Sequence, residues 1–238
     1  MSAKSKKSLR YHWVAGGLAS ALSRFIPVPV VDGIVDERAK RYCLDRTLKY
    51  HGRQFDASAV ESLYKDSGSV AGWVADKVKQ LALYPVRKVG RIVTSSTGVP
   101  KDFARTYLLA RAIDLCLAKD FLQDDASAKA RDKEARNIRD AFDSAFDKLD
   151  DMLFKAIVGI VRQQFSEMKP EVSAIFAKMV GKPTKKNDRS SKEIKNHKTS
   201  KTAVQNPEDD AAFSKLVSNF DDRFRDEMAE RGLDIEAD

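Results

Sequence analysis

Cysteine and histidine are scarce in this chain. Cys43 and Cys116 stand far apart among apolar neighbours, and His12, His51 and His197 are scattered over 238 residues. That excludes a disulfide-stapled scaffold and a Cys/His zinc spacing, and it predicts buried free thiols in a reducing compartment. Cys43 and His51 would lie two turns apart on one helix, too far for direct proton transfer. No run of about 18 apolar residues occurs, so no transmembrane helix is expected. The nearest approach, "HWVAGGLASALSRFIPVPVV", is broken by Arg24 and two prolines and has no clear cleavage site, which argues against a signal peptide. Strand signals are nearly absent too, with "GRIVTSSTGV" the single candidate. "GSVAG" lacks the lysine and the strand context of a phosphate-cradling loop. The carboxylate pairs Asp32/Asp36 and Asp147/Asp151 share helix faces, but without histidine at ligand spacing they read as solvated pairs rather than metal ligands. No catalytic residue, metal or cofactor is expected, and the chain does not read as an enzyme.

Helix-forming Ala, Leu, Lys, Arg and Asp dominate. Apolar residues make up 42% and charged residues 33%, a globular composition with a heavily solvated surface. These values predict an all-α helical bundle large enough for a real core. The net charge of +8 is unevenly placed. Residues 1–10 form a basic tail, read as disordered, with Lys4, Lys6, Lys7 and Arg10 and no acid. From Gly181 to Lys201 eight bases face two acids, and from Asn206 to Asp238 eleven acids face four bases. The expected organisation is therefore a basic tail over 1–10, a helical bundle over 11–180, a disordered basic linker over 181–206 and an acidic amphipathic helix within 207–238. The basic blocks suit anionic lipid or nucleic acid, or the basic stretch is a soluble linker followed by an acidic helix that folds back onto basic surface.

Along the chain, a first helix is expected from Tyr11 to Arg24. Gly16 and Gly17 each weaken it by about 1 kcal/mol relative to alanine, and with Ala15, Ala19 and Ser20 they permit close backbone approach. "IPVPVVDG" then turns the chain, because a residue before proline avoids helical dihedrals. A second helix follows from Val30 to His51, with Val31, Ile34, Val35, Ala39, Tyr42, Cys43, Thr47 and Leu48 inward, Arg38, Lys40, Arg41, Asp45, Arg46 and Lys49 largely outward, and Gly52 as its left-handed stop. "FDASAVESLYKD" predicts a short helix capped by Asp56 or Ser58, with Val60, Leu63 and Tyr64 inward. An apolar helix is expected from Phe103 to Leu122. One long amphipathic helix is expected from Ala128 to Met168, with Phe142, Phe146, Leu149, Leu153, Ile157, Ile160 and Phe165 on one face. Another follows Pro170. In the last helix, Phe213, Leu216, Val217, Phe220, Phe224 and Met228 share a face and Gly232 ends it.

The residues Pro27, Pro29, Asp32, Tyr50, Gly52 and Leu63, within "IPVPVVDGIVDERAKRYCLDRTLKYHGRQFDASAVESLY", resemble the signature of the EcsC-like family and of the related helical domain fused to some bacterial small GTPases. The resemblance spans about Trp13 to Ala118. It implies a membrane-associated helical domain without established catalytic residues. This chain departs from the pattern: His51 sits inside the usual Tyr-Gly pair, the second hairpin is more charged, and the helix over 142–168 and the acidic tail have no counterpart.

Two binding surfaces follow. The stretch from Trp73 to Arg91 pairs the interfacial aromatics Trp73 and Tyr84 with Lys77, Lys79, Arg87, Lys88 and Arg91, a pattern suited to an anionic membrane surface, or its stripe is simply core. The face from Phe213 to Met228, on its tether, suits helix-in-groove binding of a protein partner, or docking onto its own bundle. Nucleic acid is not favoured as a partner, since the bases lie in the linker and in mixed-sign helices and no recognised motif appears. The chain reads as cytoplasmic, peripheral to the inner face of a membrane.

Overall fold

A computed structural model describes residues 3–25, 31–65, 98–181, 206–233 and 235. Its elements are α1 (Ala3–Ser23), α2 (Val31–Tyr50), a 3₁₀ segment (Ala57–Leu63), α3 (Gly98–Ala118), α4 (Ala128–Asp147), α5 (Asp151–Ala156), α6 (Val158–Glu167), α7 (Lys169–Gly181), a 3₁₀ turn (Pro207–Asp209) and α8 (Ala211–Glu230). Every regular element among the described residues is helical, as the composition predicts.

The centre of the bundle is α1. It runs antiparallel to both α2 and α3, and its two glycines set the spacing. A Cβ on Gly16 would overlap Cys43 Sγ of α2, and one on Gly17 would lie 2.9 Å from the Phe103 ring and 3.0 Å from its carbonyl oxygen on α3. The small-residue stretch is thus a two-sided packing surface. Trp13 closes the seam: its Nε1 donates to Thr47 Oγ1 at 3.0 Å, and that hydroxyl donates to the Cys43 carbonyl at 2.9 Å. A second layer is formed by α4 and α8, while α7 packs back on α1 and α2.

The helix ends follow the chemistry of their residues. Gly52 (φ 72°) and Gly232 (φ 69°) stop α2 and α8 in the left-handed conformation. In each case the next residue's N–H reaches back across the turn, Arg53 to the Leu48 carbonyl and Leu233 to that of Met228. Asp120 (φ 60°) takes the same place after α3 without being glycine, with Phe121 N–H on the Cys116 carbonyl at 3.1 Å. Asp56 caps the 3₁₀ segment by accepting from Ser58 N–H, and Val60, Leu63 and Tyr64 are buried as expected.

Three expectations need correction. Residues 3–10 are not a disordered tail but the first turns of α1: Leu9 enters the core at 3% exposure and Arg10 pairs with Glu208. The long helix over 128–168 is broken into α4, α5 and α6. After Asp147, Leu149 N–H bonds to the Phe146 carbonyl, and Asp150 caps a new helix by accepting from Met152 N–H. A second break falls at Ile157, whose ψ of 3° leaves the helical region. The first break lets Phe154 turn inward beside Phe146, ring centroids 5.4 Å apart, whereas eight residues of straight helix would set them about 12 Å apart along the axis. Lys40, expected outward on α2, is 3% exposed and pairs with Asp36 at 2.6 Å. The proline turn over 26–30, the strand candidate up to Thr97 and the basic linker over 182–205 lie outside the described residues.

Candidate functional site

Of the two predicted surfaces, the first lies outside the described residues: Trp73, Lys77, Lys79, Tyr84, Arg87, Lys88 and Arg91 all fall in 66–97. The described residues resume at Gly98, where the Arg24 guanidinium sits against Gly98 and is bidentate to Asp102 at 2.6 and 2.9 Å.

The second surface is a correction. Phe213, Leu216, Val217, Phe220, Phe224 and Met228 are all buried in the chain's own core and present no free face to a partner. Phe213 meets Tyr107 edge-on at 5.0 Å, Phe220 meets Phe142 at 5.6 Å, and Phe220 stacks on Phe224. The physical reason is that α3 and α4 leave an aromatic groove that α8 fills, removing its stripe from water.

Around this apolar contact runs a ring of charge pairs, most of them joining an acid of the tail to a base of the bundle. Glu208 receives Arg10 at 2.7 Å, the Tyr107 hydroxyl at 2.8 Å and Arg111 Nη1 at 3.3 Å. Asp221 receives Arg111 through Nε at 2.8 Å and Nη2 at 2.5 Å. At the other end Glu227 takes Lys148, and Arg231 at 2.6 Å. Hydrogen bonds from Lys148, Arg231 and Ser144 hold the Glu227 carboxyl down at about 2. Burial, then the Glu208 carboxylate beside it, pushes the Tyr107 hydroxyl up, so it remains a donor.

Sequence reasoning missed this ring because its members are remote from one another along the chain. One signal was present: within "TYLLARAIDLCLA" on α3, Arg111 and Asp114 are the two charges in an apolar run, and a buried charge demands a partner. Arg111 finds Glu208 and Asp221, and Asp114 finds His51 Nε2 at 2.8 Å.

Cys43, Cys116 and His12 are held in packing. Cys43 and Cys116 are fully buried and burial pushes both thiols up, away from the reactive thiolate. His12 bonds the Tyr42 hydroxyl at 2.7 Å, and burial, then the charge of Arg46, lowers it to about 4. Among the described residues there is no cluster of three or more His, Cys, Asp or Glu able to hold a metal, and no helix long and apolar enough to cross a membrane. Compared with known proteins, the chain matches no family model, no curated protein and no solved structure.

Proposed function

We infer that the protein is a non-enzymatic helical module that binds an anionic membrane surface peripherally, at the cytoplasmic face, through Trp73 to Arg91. The observation that carries this reading is the fate of the other amphipathic surface. With the stripe of α8 taken up inside the bundle, the stretch that combines interfacial aromatics with five bases is the remaining candidate for contact with another phase. Three further points support it. The thiols and His12 are locked in packing rather than poised for chemistry. No described helix is a membrane span, which suits attachment from one side. The resemblance of Pro27, Pro29, Asp32, Tyr50, Gly52 and Leu63 to the EcsC-like signature points the same way.

Each base held near an anionic surface contributes about 1 kcal/mol, and the contribution fades with salt. Co-sedimentation with phosphatidylglycerol-containing vesicles is therefore expected at low salt, with little at high salt and none on neutral vesicles. Neutralising Lys77, Lys79, Arg87, Lys88 and Arg91 together should abolish it. Unchanged binding by that variant, or no binding by the wild type, would sink this reading.

A further inference from the structure

Three donors converge on one carboxylate at the start of the tail. Arg10 of α1 reaches Glu208 Oε2 at 2.7 Å, while Tyr107 and Arg111 of α3 reach Oε1 at 2.8 and 3.3 Å. One N–H from each of two guanidinium groups and a hydroxyl meet at one point, and such donors match the oxygens of a phosphate group as well as those of a carboxylate. The fit of Glu208 is incomplete: Arg10 Nε is buried and has no hydrogen-bond partner, and the contact from Arg111 is long. A phosphate brings more acceptor oxygens than a carboxylate and could use that donor.

The cluster opens to the surface on the side of Arg111 and Glu208, while Tyr107 is fully buried. An open depression of about 290 Å³, lined in part by Arg111, Glu208, Asp221 and Arg225, adjoins the cluster. Glu208 sits in the short 3₁₀ turn Pro207–Asp209, ahead of the Asp210 cap of α8. Phe213 and the α8 residues beyond are held by their own contacts with Phe103, Tyr107 and Phe142, separate from the Glu208 side chain. Arg111 would remain fixed by Asp221 through Nε and Nη2, leaving Nη1 for the incoming anion.

We propose that Arg10, Tyr107 and Arg111 form a binding site for a phosphate group, from a lipid headgroup or free in solution, which the chain's own Glu208 fills as a built-in competitor. The site uses none of the residues from Trp73 to Arg91 and does not rest on the membrane reading.

The test is phosphate binding by the full chain, measured by titration calorimetry for the wild type, Glu208→Ala and Glu208→Ala with Arg10→Gln. Removing the competing carboxylate should tighten inorganic phosphate on the order of tenfold, and loss of Arg10 should reverse the gain. Glu208→Gln, which keeps the side-chain shape, should show a smaller gain in the same direction. Vesicle flotation then separates the sources. If Glu208→Ala gains affinity for phosphatidylglycerol vesicles and inorganic phosphate competes it away, the headgroup uses the cradle. If it gains affinity for inorganic phosphate alone, the ligand is a free anion. No gain for either probe in Glu208→Ala and Glu208→Gln, with melting temperatures near wild type, overturns the proposal. Neutralising the five bases between Lys77 and Arg91 in the Glu208→Ala background must leave the phosphate gain intact, so failure of the membrane reading and failure of the cradle are separate results.

Discussion

Gly16 and Gly33 lie on adjacent antiparallel helices and make opposite predictions. A side chain at Gly16 would meet Cys43, whereas a Cβ at Gly33 would meet nothing within 4 Å. Gly16→Ala should therefore destabilise by about 1–3 kcal/mol through overpacking. Gly33→Ala should stabilise by about 0.4–1 kcal/mol, since the unfolded chain loses freedom at no steric cost. Urea denaturation of both variants checks the pair, and equal effects would refute the close α1–α2 contact. His12 makes a prediction in pH. Its value of about 4 lies below the ordinary 6.5 because burial, then Arg46, disfavours the charged ring. The unfolded chain thus binds the extra proton first. The stability His12 contributes is complete above about 6.5 and is lost as the pH falls toward about 4. An NMR titration should place the midpoint of the His12 ring near 4, and a normal midpoint would contradict its burial.

At the scale of elements, α8 shows how one stripe can serve two ends. Its pattern of Phe213, Leu216, Val217, Phe220, Phe224 and Met228 specifies an amphipathic helix whether the apolar face meets a partner or the chain itself. The face is buried because α3 and α4 present Phe103, Tyr107 and Phe142 to it. Phe220 sits at the middle of this contact, fully buried between Phe142 and Phe224. Phe220→Ala should cost about 3–5 kcal/mol, read as a lowered urea midpoint. A loss below about 1 kcal/mol would mean that the groove is not filled by this helix. The broken helix over 128–168 carries the same lesson in reverse. Its spacing of three and four residues persists across Lys148–Asp150, so periodicity shows no break. Asp150 favours an N-cap over a helix interior, but apolar periodicity does not register that preference, and the inward position of Phe154 accompanies the capped form.

For the whole molecule, the acidic tail closes the bundle. Its inward carboxylates Glu208, Asp221 and Glu227 meet Arg10, Arg111 and Lys148, so opposite charges frame the aromatic contact. Removing residues 206–238 should uncover the aromatic groove together with these bases. The truncated chain is expected to melt lower and less cooperatively than the full chain, and to bind a hydrophobic dye. An unchanged melting curve would show that the tail is a separate module. The pairing also suits the proposed surface function, since it covers an apolar face that would otherwise compete with Trp73–Arg91 for contact with a membrane or promote aggregation.

Composition, periodicity and local capping chemistry determined the all-α class, most of the inward faces of α2, α4 and α8, the glycine stops at Gly52 and Gly232, a cap at Asp56 or Ser58 and the burial of Cys43 and Cys116. Each depends on residues within a few positions of one another, where propensity, capping and the helical repeat act directly. What covers the stripe of α8, where the long helix breaks, and which partners Arg10, Tyr107, Arg111, Asp114 and Lys40 take were decided by tertiary structure. Those outcomes join residues far apart in the chain, and sequence spacing holds no measure of which groove or which charge a folded chain brings within reach.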